Sequence, residues 1–189
     1  VGRTAGAKLI VSTVVANLRD CPPVGSLHRA GLTDQQRGQW EEAYQAGAAA
    51  EAAGHPEAAI GKYQEASKID DTFAELHFRW ARCCLALGNQ SDGKAHFERA
   101  RDLDTLRFRA DGRINEIVRQ VVGQTAAPDV RLLDAEAGFA QQSREGIVGA
   151  EWLYEHVHFR FEGNYLLARL FADQVAEVLP ESIANRTGG

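Results

Sequence analysis

Apolar and small residues recur at helical spacing in four consecutive blocks through the middle of the chain, with a glycine or an acidic turn between blocks. Such i, i+3, i+4, i+7 recurrence marks helices with one buried face. It predicts helices over about Thr33–Ala53, Glu57–Ile69, Phe73–Leu87 and Ser91–Leu103. Thr33-x-x-Gln36 and Thr72-x-x-Glu75 read as capping boxes at the starts of the first and third. Gly54 and Gly88 follow the first helix of each pair, where a left-handed residue ends a helix cheaply. Pro56 then sits at a helix start, where its missing N–H is no loss. The pattern changes on either side. Lys8–Val15 is a short β-branched run followed by Asn17–Asp20 and Pro22-Pro23, and Val130–Asp134, after Pro128, is a second. Near-continuous apolar runs closed by turn residues predict buried parallel strands. Ile114, Ile117, Val118, Val121 and Val122 form a stripe that predicts a helix over 112–122. Leu166, Leu167, Leu170, Phe171, Val175 and Val178 give one apolar face to a helix over Gly163–Leu179, ended by Pro180.

The four central helices are two copies of one unit. Shifted by 34 residues, Gly54 meets Gly88, Tyr63 meets Phe97, Ala66 meets Ala100, Ile69 meets Leu103 and Asp70 meets Asp104, while Ala59 meets Gly93 and keeps a small residue. That period and its small–aromatic–Ala spacing are those of the tetratricopeptide repeat. Small residues at 59 and 93 let paired helices approach, and the aromatic ring fills the space a turn later. In such arrays the first helix of each pair lines a concave face. By register Tyr44, Ala48 and Glu51 face it from the first pair, and Phe78, Arg82 and Leu85 from the second. Tyr44, Glu51, Phe78 and Arg82 are therefore candidate binding residues for a protein or peptide partner, unless the chain's own flanks fill the groove. The Lys and Asn set of the carboxylate-clamp version is missing, so a chaperone C-terminal tail is not the expected ligand. Two repeats bury little alone, so something must cover their ends.

The flanks predict a mainly α protein in which residues 33–106 interrupt an incomplete α/β domain made of residues 1–32 and 107–189. Two parallel strands joined through helices are the α/β signature. The block Tyr154–Ala168, with Glu155-x-x-His158 before Gly163 and a terminal helix, resembles the C-terminal motif of the SGNH (GDSL-type) hydrolases. The family pair is Asp-x-x-His, so Glu155 is a departure one methylene longer. "VSTVVANLRDCPP" is similar to the strand after the Gly-x-Asn-Asp block in members that carry tetratricopeptide repeats, and "LRFRADGRINEIV" and "VRLLDAEAGFA" to their next helix and strand. The resemblance covers about residues 8–28 and 106–180. It implies ester hydrolysis or acyl transfer by a Ser–His–acid triad, with His158 as general base and Glu155 orienting its ring. Substrates would be acylated sugars or lipids. The family's Gly-Asp-Ser block and its oxyanion-hole Gly and Asn blocks do not occur here. None of Ser12, Ser26, Ser67, Ser91, Ser143 and Ser182 stands in such a block. The chain by itself is therefore expected to be inactive, with its parent an esterase.

Composition removes other classes. A net charge of −5, with no block of five like charges, argues against a nucleic-acid partner. No apolar run reaches the roughly 18–20 residues of a membrane span. The longest, Leu9–Ala16, is broken by Ser12 and Thr13. Cys21, Cys83 and Cys84 have no disulfide-framework spacing and read as small core residues. His156 and His158 with Glu155 lack a third, distant ligand, so neither a metal nor another cofactor is expected. Asn17 and Arg19, just past a predicted strand, are candidate rim residues of a cleft, because ligands gather at the carboxyl ends of parallel strands. The alternative is turn chemistry, with Asn17 and Asp20 bonding the backbone and Pro22 setting the turn. The chain starts at Val1 and contains no Met, which reads as a piece of a longer protein, and nothing assigns a compartment. A sheet cut to two strands leaves an edge that helices or a second copy must cover.

Overall fold

The computed structural model describes residues 6–125 and 127–179. Among them run β1 (Leu9–Ser12), α1 (Asp34–Ala52), α2 (Pro56–Ser67), α3 (Ala74–Ala86), α4 (Gln90–Asp102), α5 (Gly112–Thr125), β2 (Val130–Leu133), α6 (Ala135–Gln142) and α7 (Phe161–Val178). The described chain is mainly helical with one small parallel sheet. Val1, Pro180 and Ser182, named above, lie outside the described residues.

α1 pairs with α2 and α3 with α4, and α2 packs on α3 between the pairs. The tight crossings occur where both partners are small. Gly47 of α1 lies against Ala59 of α2, and the positions 34 residues on, Ala81 and Gly93, do the same between α3 and α4. A Cβ on Gly47 would meet the Tyr63 ring at 2.6 Å, and one on Gly93 would meet Leu85 at 2.8 Å. Gly54 and Gly88 take φ of +76° and +75°, the left-handed turn that ends α1 and α3. Tyr63 and Phe97, Ala66 and Ala100 are all buried.

The capping box at Thr33 and Gln36 is present. The one expected at Thr72 is not. The Thr72 hydroxyl donates to the buried Asp70 carboxylate at 2.7 Å, Phe73 takes the cap position, and the Glu75 N–H donates instead to Ser26 Oγ at 2.9 Å. A hydroxyl that donates to Asp70 can still accept, so the box is absent because Ser26 takes the Glu75 N–H that would complete it.

Asp70 and Asp104, equivalent in the two copies, hold the segment that precedes α1. Asp104 accepts the N–H groups of Val24 (2.9 Å) and Gly25 (3.1 Å), and Asp70 accepts that of Arg29 and contacts the His28 ring. Residues 24–29 are thereby strapped across both hairpins. His28 lies against Trp40 and Phe73, with ring centroids 4.5 and 4.8 Å away.

β1 and β2 pair in parallel, Leu9 opposite Val130 through Ser12 opposite Leu133, so all four hairpin helices and α5 lie in the connection between them. The core on one face of this sheet joins Val15, Leu133, Phe139, Val148, Leu153 and Leu166, with Ile10 beside them. A second cluster fuses the flanks to the hairpins, with Leu18 and Ile147 packed on Phe78, Ala81, Phe97 and Ala100.

Two expectations for the flanks need correction. The strands are not fully buried, and Leu9 and Val11 are each 37% exposed. The apolar stripe of α5 is not covered either, since Ile114, Ile117 and Val121 are all exposed. The cause is shared: a two-stranded sheet is too narrow to hide both its own face and a helix laid on it. α5 instead turns Asn115 inward. Its carboxamide accepts from the Val14 N–H at 2.8 Å and donates to the Val14 carbonyl at 2.9 Å. Helix α6 follows β2 directly, because the Asp134 side chain accepts from the Ala137 N–H and starts a helix where the strand stops.

Gly47→Ala should lower unfolding stability by about 1–2 kcal/mol, because the clash with the enclosed Tyr63 ring outweighs the helix propensity gained. Gly61→Ala, whose added carbon meets nothing within 4 Å, should be neutral or stabilising. Urea titrations of both variants check the pair, and equal behaviour would contradict this packing.

Candidate functional site

The carboxyl end of β1 leads straight to the Glu155–His158 loop. Beyond Ser12 the chain continues to Asn17, whose N–H donates to the His156 carbonyl at 3.0 Å, while the Leu18 and Arg19 N–H groups both reach the Val148 carbonyl. The loop is a narrow antiparallel turn closed by a bridge between Leu153 and Phe159, with the Tyr154 N–H bonded to the His158 carbonyl at 2.9 Å. Gly163 at the start of α7 lies directly against the Trp152 carbonyl, where any Cβ would collide. The later glycine of the motif therefore has a packing reason to be glycine.

Inside the turn the Glu155 carboxylate accepts the N–H of His158 at 2.9 Å and that of His156, and it touches His158 Nδ1. Desolvation pulls its pKa up, but these N–H groups and the His158 ring outweigh that and hold the carboxyl down at about 2. The His156 ring contacts the Pro22 carbonyl at 3.1 Å and lies 3.6 Å from the other Glu155 oxygen. This arrangement can orient an imidazole and stabilise its cation, as a triad acid does. The ring it orients is open to solvent, with the His158 side chain 82% exposed. The hydroxyls of Ser12, Ser26, Ser67 and Ser143 are bound to other partners, and Ser91 is an exposed residue of α4. No group of three or more His, Cys, Asp or Glu among the described residues is placed to hold a metal ion, and none of their helices is long and apolar enough to cross a membrane.

Asn17 and Arg19 stand at the strand end but face inward. Asn17 is buried, its Oδ1 accepting the Asp20 N–H at 3.0 Å and its Nδ2 without a partner. Arg19 pairs with Asp20 and Glu151 and donates to the Arg144 and Ile147 carbonyls. Arg19 fastens the 144–151 segment to the strand end, and Asn17 holds the turn to Asp20 and the His156 carbonyl. The Asn17 bond to Asp20 is ordinary turn chemistry.

The four expected groove residues divide. Tyr44 is buried, stacked on Trp40 at 4.8 Å, and Phe78 is covered by Leu18 and Ile147 from the flanks. Glu51 and Arg82, 3.7 Å apart, come together at an open cleft of about 370 Å³ that Gly54, Pro56, Cys83 and Ala86 complete. Glu51 also accepts from the Tyr63 hydroxyl at 2.8 Å and from Arg79 at 3.1 Å. Burial, then this hydrogen bond, push the Tyr63 phenol up, and burial first, then Glu51, pushes the Cys83 thiol up to about 11. One carboxylate thus serves two arginines, and Arg82 keeps 59% of its side chain in solvent.

A pair that spacing alone does not reveal lies between α3 and α4. His77 Nε2 donates to the Asp71 carbonyl at 2.7 Å, which leaves its Nδ1 to accept from His96 Nδ1–H at 3.0 Å. The His96 ring stacks on Trp80 at 4.1 Å. Two neutral rings satisfy this arrangement, and a proton on His77 Nδ1 would remove its acceptor and break it. Burial, with His77 second, holds the His96 pKa down at about 4. No protein-family model, curated protein or solved structure matches this chain.

Below the ordinary histidine value of 6.5, the unfolded chain binds a proton that folded His96 refuses until about 4. Stability should therefore be full above pH 6.5 and fall as pH drops from 6.5 towards 4. His96→Phe, which keeps the stack on Trp80, should make that fall shallower without abolishing it, because burial also lowers the His77 pKa. Urea midpoints measured across this pH range check it.

Proposed function

We propose that this chain is a tetratricopeptide-type protein-interaction scaffold joined to the C-terminal part of an SGNH-like hydrolase domain, and that it is not catalytic by itself. The observation that carries the scaffold reading is the recurrence, 34 residues apart, of the same small-residue crossings, the same buried aromatic–Ala pair and the same left-handed glycine. The part of the groove near Tyr44 and Phe78 is filled by the protein itself. The end bounded by Glu51 and Arg82 is open. Arg79 is held by both Glu51 and Glu75, whereas Arg82 has only the 3.7 Å contact to Glu51 and keeps 59% of its side chain in solvent, which leaves it donors for an acidic peptide side chain.

The hydrolase reading is supported by a different observation, the Glu155–His158 contact on a loop at the carboxyl end of a parallel strand. On this reading a Gly-Asp-Ser block elsewhere in a longer parent chain supplies the nucleophile, His158 takes its proton, and Glu155 stands in for the family's Asp. The parent would be an esterase or acyl-transfer enzyme acting on acylated sugars or lipids.

Selection of displayed random peptides on this chain should enrich acidic sequences. Their affinity should fall by about ten-fold in Arg82→Glu, the loss of one charge-assisted contact. Enrichment of nothing, or of peptides indifferent to Arg82, would refute the scaffold. On p-nitrophenyl acetate this chain should show no turnover above free imidazole. Turnover that His158→Ala abolishes would overturn the claim that the chain alone is inactive.

A further inference from the structure

We infer that the outer edge of β1 binds a second copy of this chain, β1 against β1 around a two-fold axis. The argument starts from which main-chain groups β1 has left. The N–H groups of Leu9 and Thr13 bond to Asp129 and Leu133 beside them, so odd-numbered residues of β1 point at β2 and even-numbered ones point away. At Val14 the outward N–H and C=O are both taken by the Asn115 carboxamide, which occupies the place of a neighbouring strand and stops the ladder there. Ile10 and Ser12 lie before that stop. Among the described residues no other strand pairs with their outward side.

What fits such an edge is an extended backbone that is apolar on both faces. One face would look toward α7, where Ser12–Val15, Val157, Phe159, Leu167 and Phe171 line an apolar cleft of about 290 Å³. The other would continue the exposed residues Leu9 and Val11, near the uncovered Ile114 and Ile117 of α5, which packs on the same sheet. Within the described residues the strand that has this pattern and is itself accessible is β1, Leu-Ile-Val-Ser. Paired antiparallel about Val11, Ile10 of one copy lies opposite Ser12 of the other. The four outward donors and acceptors of each copy are then used, and Asn115 closes the ladder at both ends. A two-fold interface needs such a self-complementary patch. Charge does not oppose it, because in this register Lys8 of one copy falls opposite Val14 of the other and not opposite its own counterpart. The result is a four-stranded sheet in the order β2–β1–β1–β2. This inference uses neither the groove at Arg82 nor the role of His158, and it concerns this chain alone, because further strands of a longer parent would take the same edge.

Sedimentation of the purified chain over the micromolar range tests it. A concentration-dependent dimer is expected, with slowed hydrogen exchange at the Ile10 and Ser12 amides. Ser12→Pro removes an outward N–H that β2 does not use, and Val11→Lys sets two cations against each other at the axis. Each should weaken the dimer on the order of ten-fold or more. Should Ser12→Pro lose its fold by circular dichroism, Val11→Lys carries the test, since that side chain is already partly in solvent. A chain that stays monomeric throughout, or a dimer that a folded variant of either kind leaves intact, overturns the inference.

Discussion

Two equivalent aspartates hold this structure together. Asp70 and Asp104 end the two hairpins, both are almost wholly buried, and both turn their carboxylates on the segment that precedes the first helix. Asp104 also faces the buried Arg109 at 3.3 Å, and Arg109 in turn donates to the Asn17 and Cys21 carbonyls, at 2.7 and 3.0 Å. The strand end, the strap, the second hairpin and the entry to α5 thus meet at one ion pair. Breaking one side of a buried pair of this kind leaves an uncompensated charge and costs about 3–5 kcal/mol. The Arg109 Nε is buried without a partner, so the guanidinium gives up part of its bonding to stay where it is.

That junction explains why a pair of hairpins, which buries little alone, can be stable here. Its open side is not left to solvent. Leu18 and Ile147, from opposite flanks, complete the apolar cluster around Phe78 and Phe97. Arg101 on α4 reaches Glu136 on α6, and Arg119 on α5 binds both Asp134 and Glu136, so charged contacts repeat the apolar ones between the same elements. The consequence for function is spatial. The surface around Tyr44 and Phe78 is closed by the protein, and openness is displaced to the cleft at Arg82, the exposed His158 ring and the outer edge of β1.

The central helices are legible in the sequence because their determinants are local. Gly54 and Gly88 must adopt a left-handed turn, and Ala59 and Gly93 must be small, whatever surrounds them. The pairing of two strands separated by the whole insert is legible too, as two β-branched runs flanking helical periodicity. The contact between Glu155 and His158 follows from their spacing in a tight turn. What resists reading depends on partners far away in sequence. Asn115 looks like a polar interruption of an apolar stripe, and only its position beside Val14 makes it a substitute strand. Thr72 looks like a helix cap until Ser26, from the segment before α1, takes the Glu75 N–H. Asn17 and Arg19 look like rim residues because strand ends often are, yet Asn17 is buried and Arg19 is tied to the Arg144 and Ile147 carbonyls. His77 and His96, 19 residues apart, meet only because α3 and α4 cross at Ala81 and Gly93.

The tie between hairpins and flanks is the claim on which the rest stands, and the tryptophans are placed to test it. Trp40 and Trp80 report on the two hairpins, and Trp152 packs on Phe139 at the core of the flanks. Urea unfolding followed by fluorine NMR, with each tryptophan fluorinated, reads the three regions in one titration. Coincident midpoints for all three resonances are the predicted result. A Trp152 resonance that unfolds at its own midpoint, apart from Trp40 and Trp80, would contradict it.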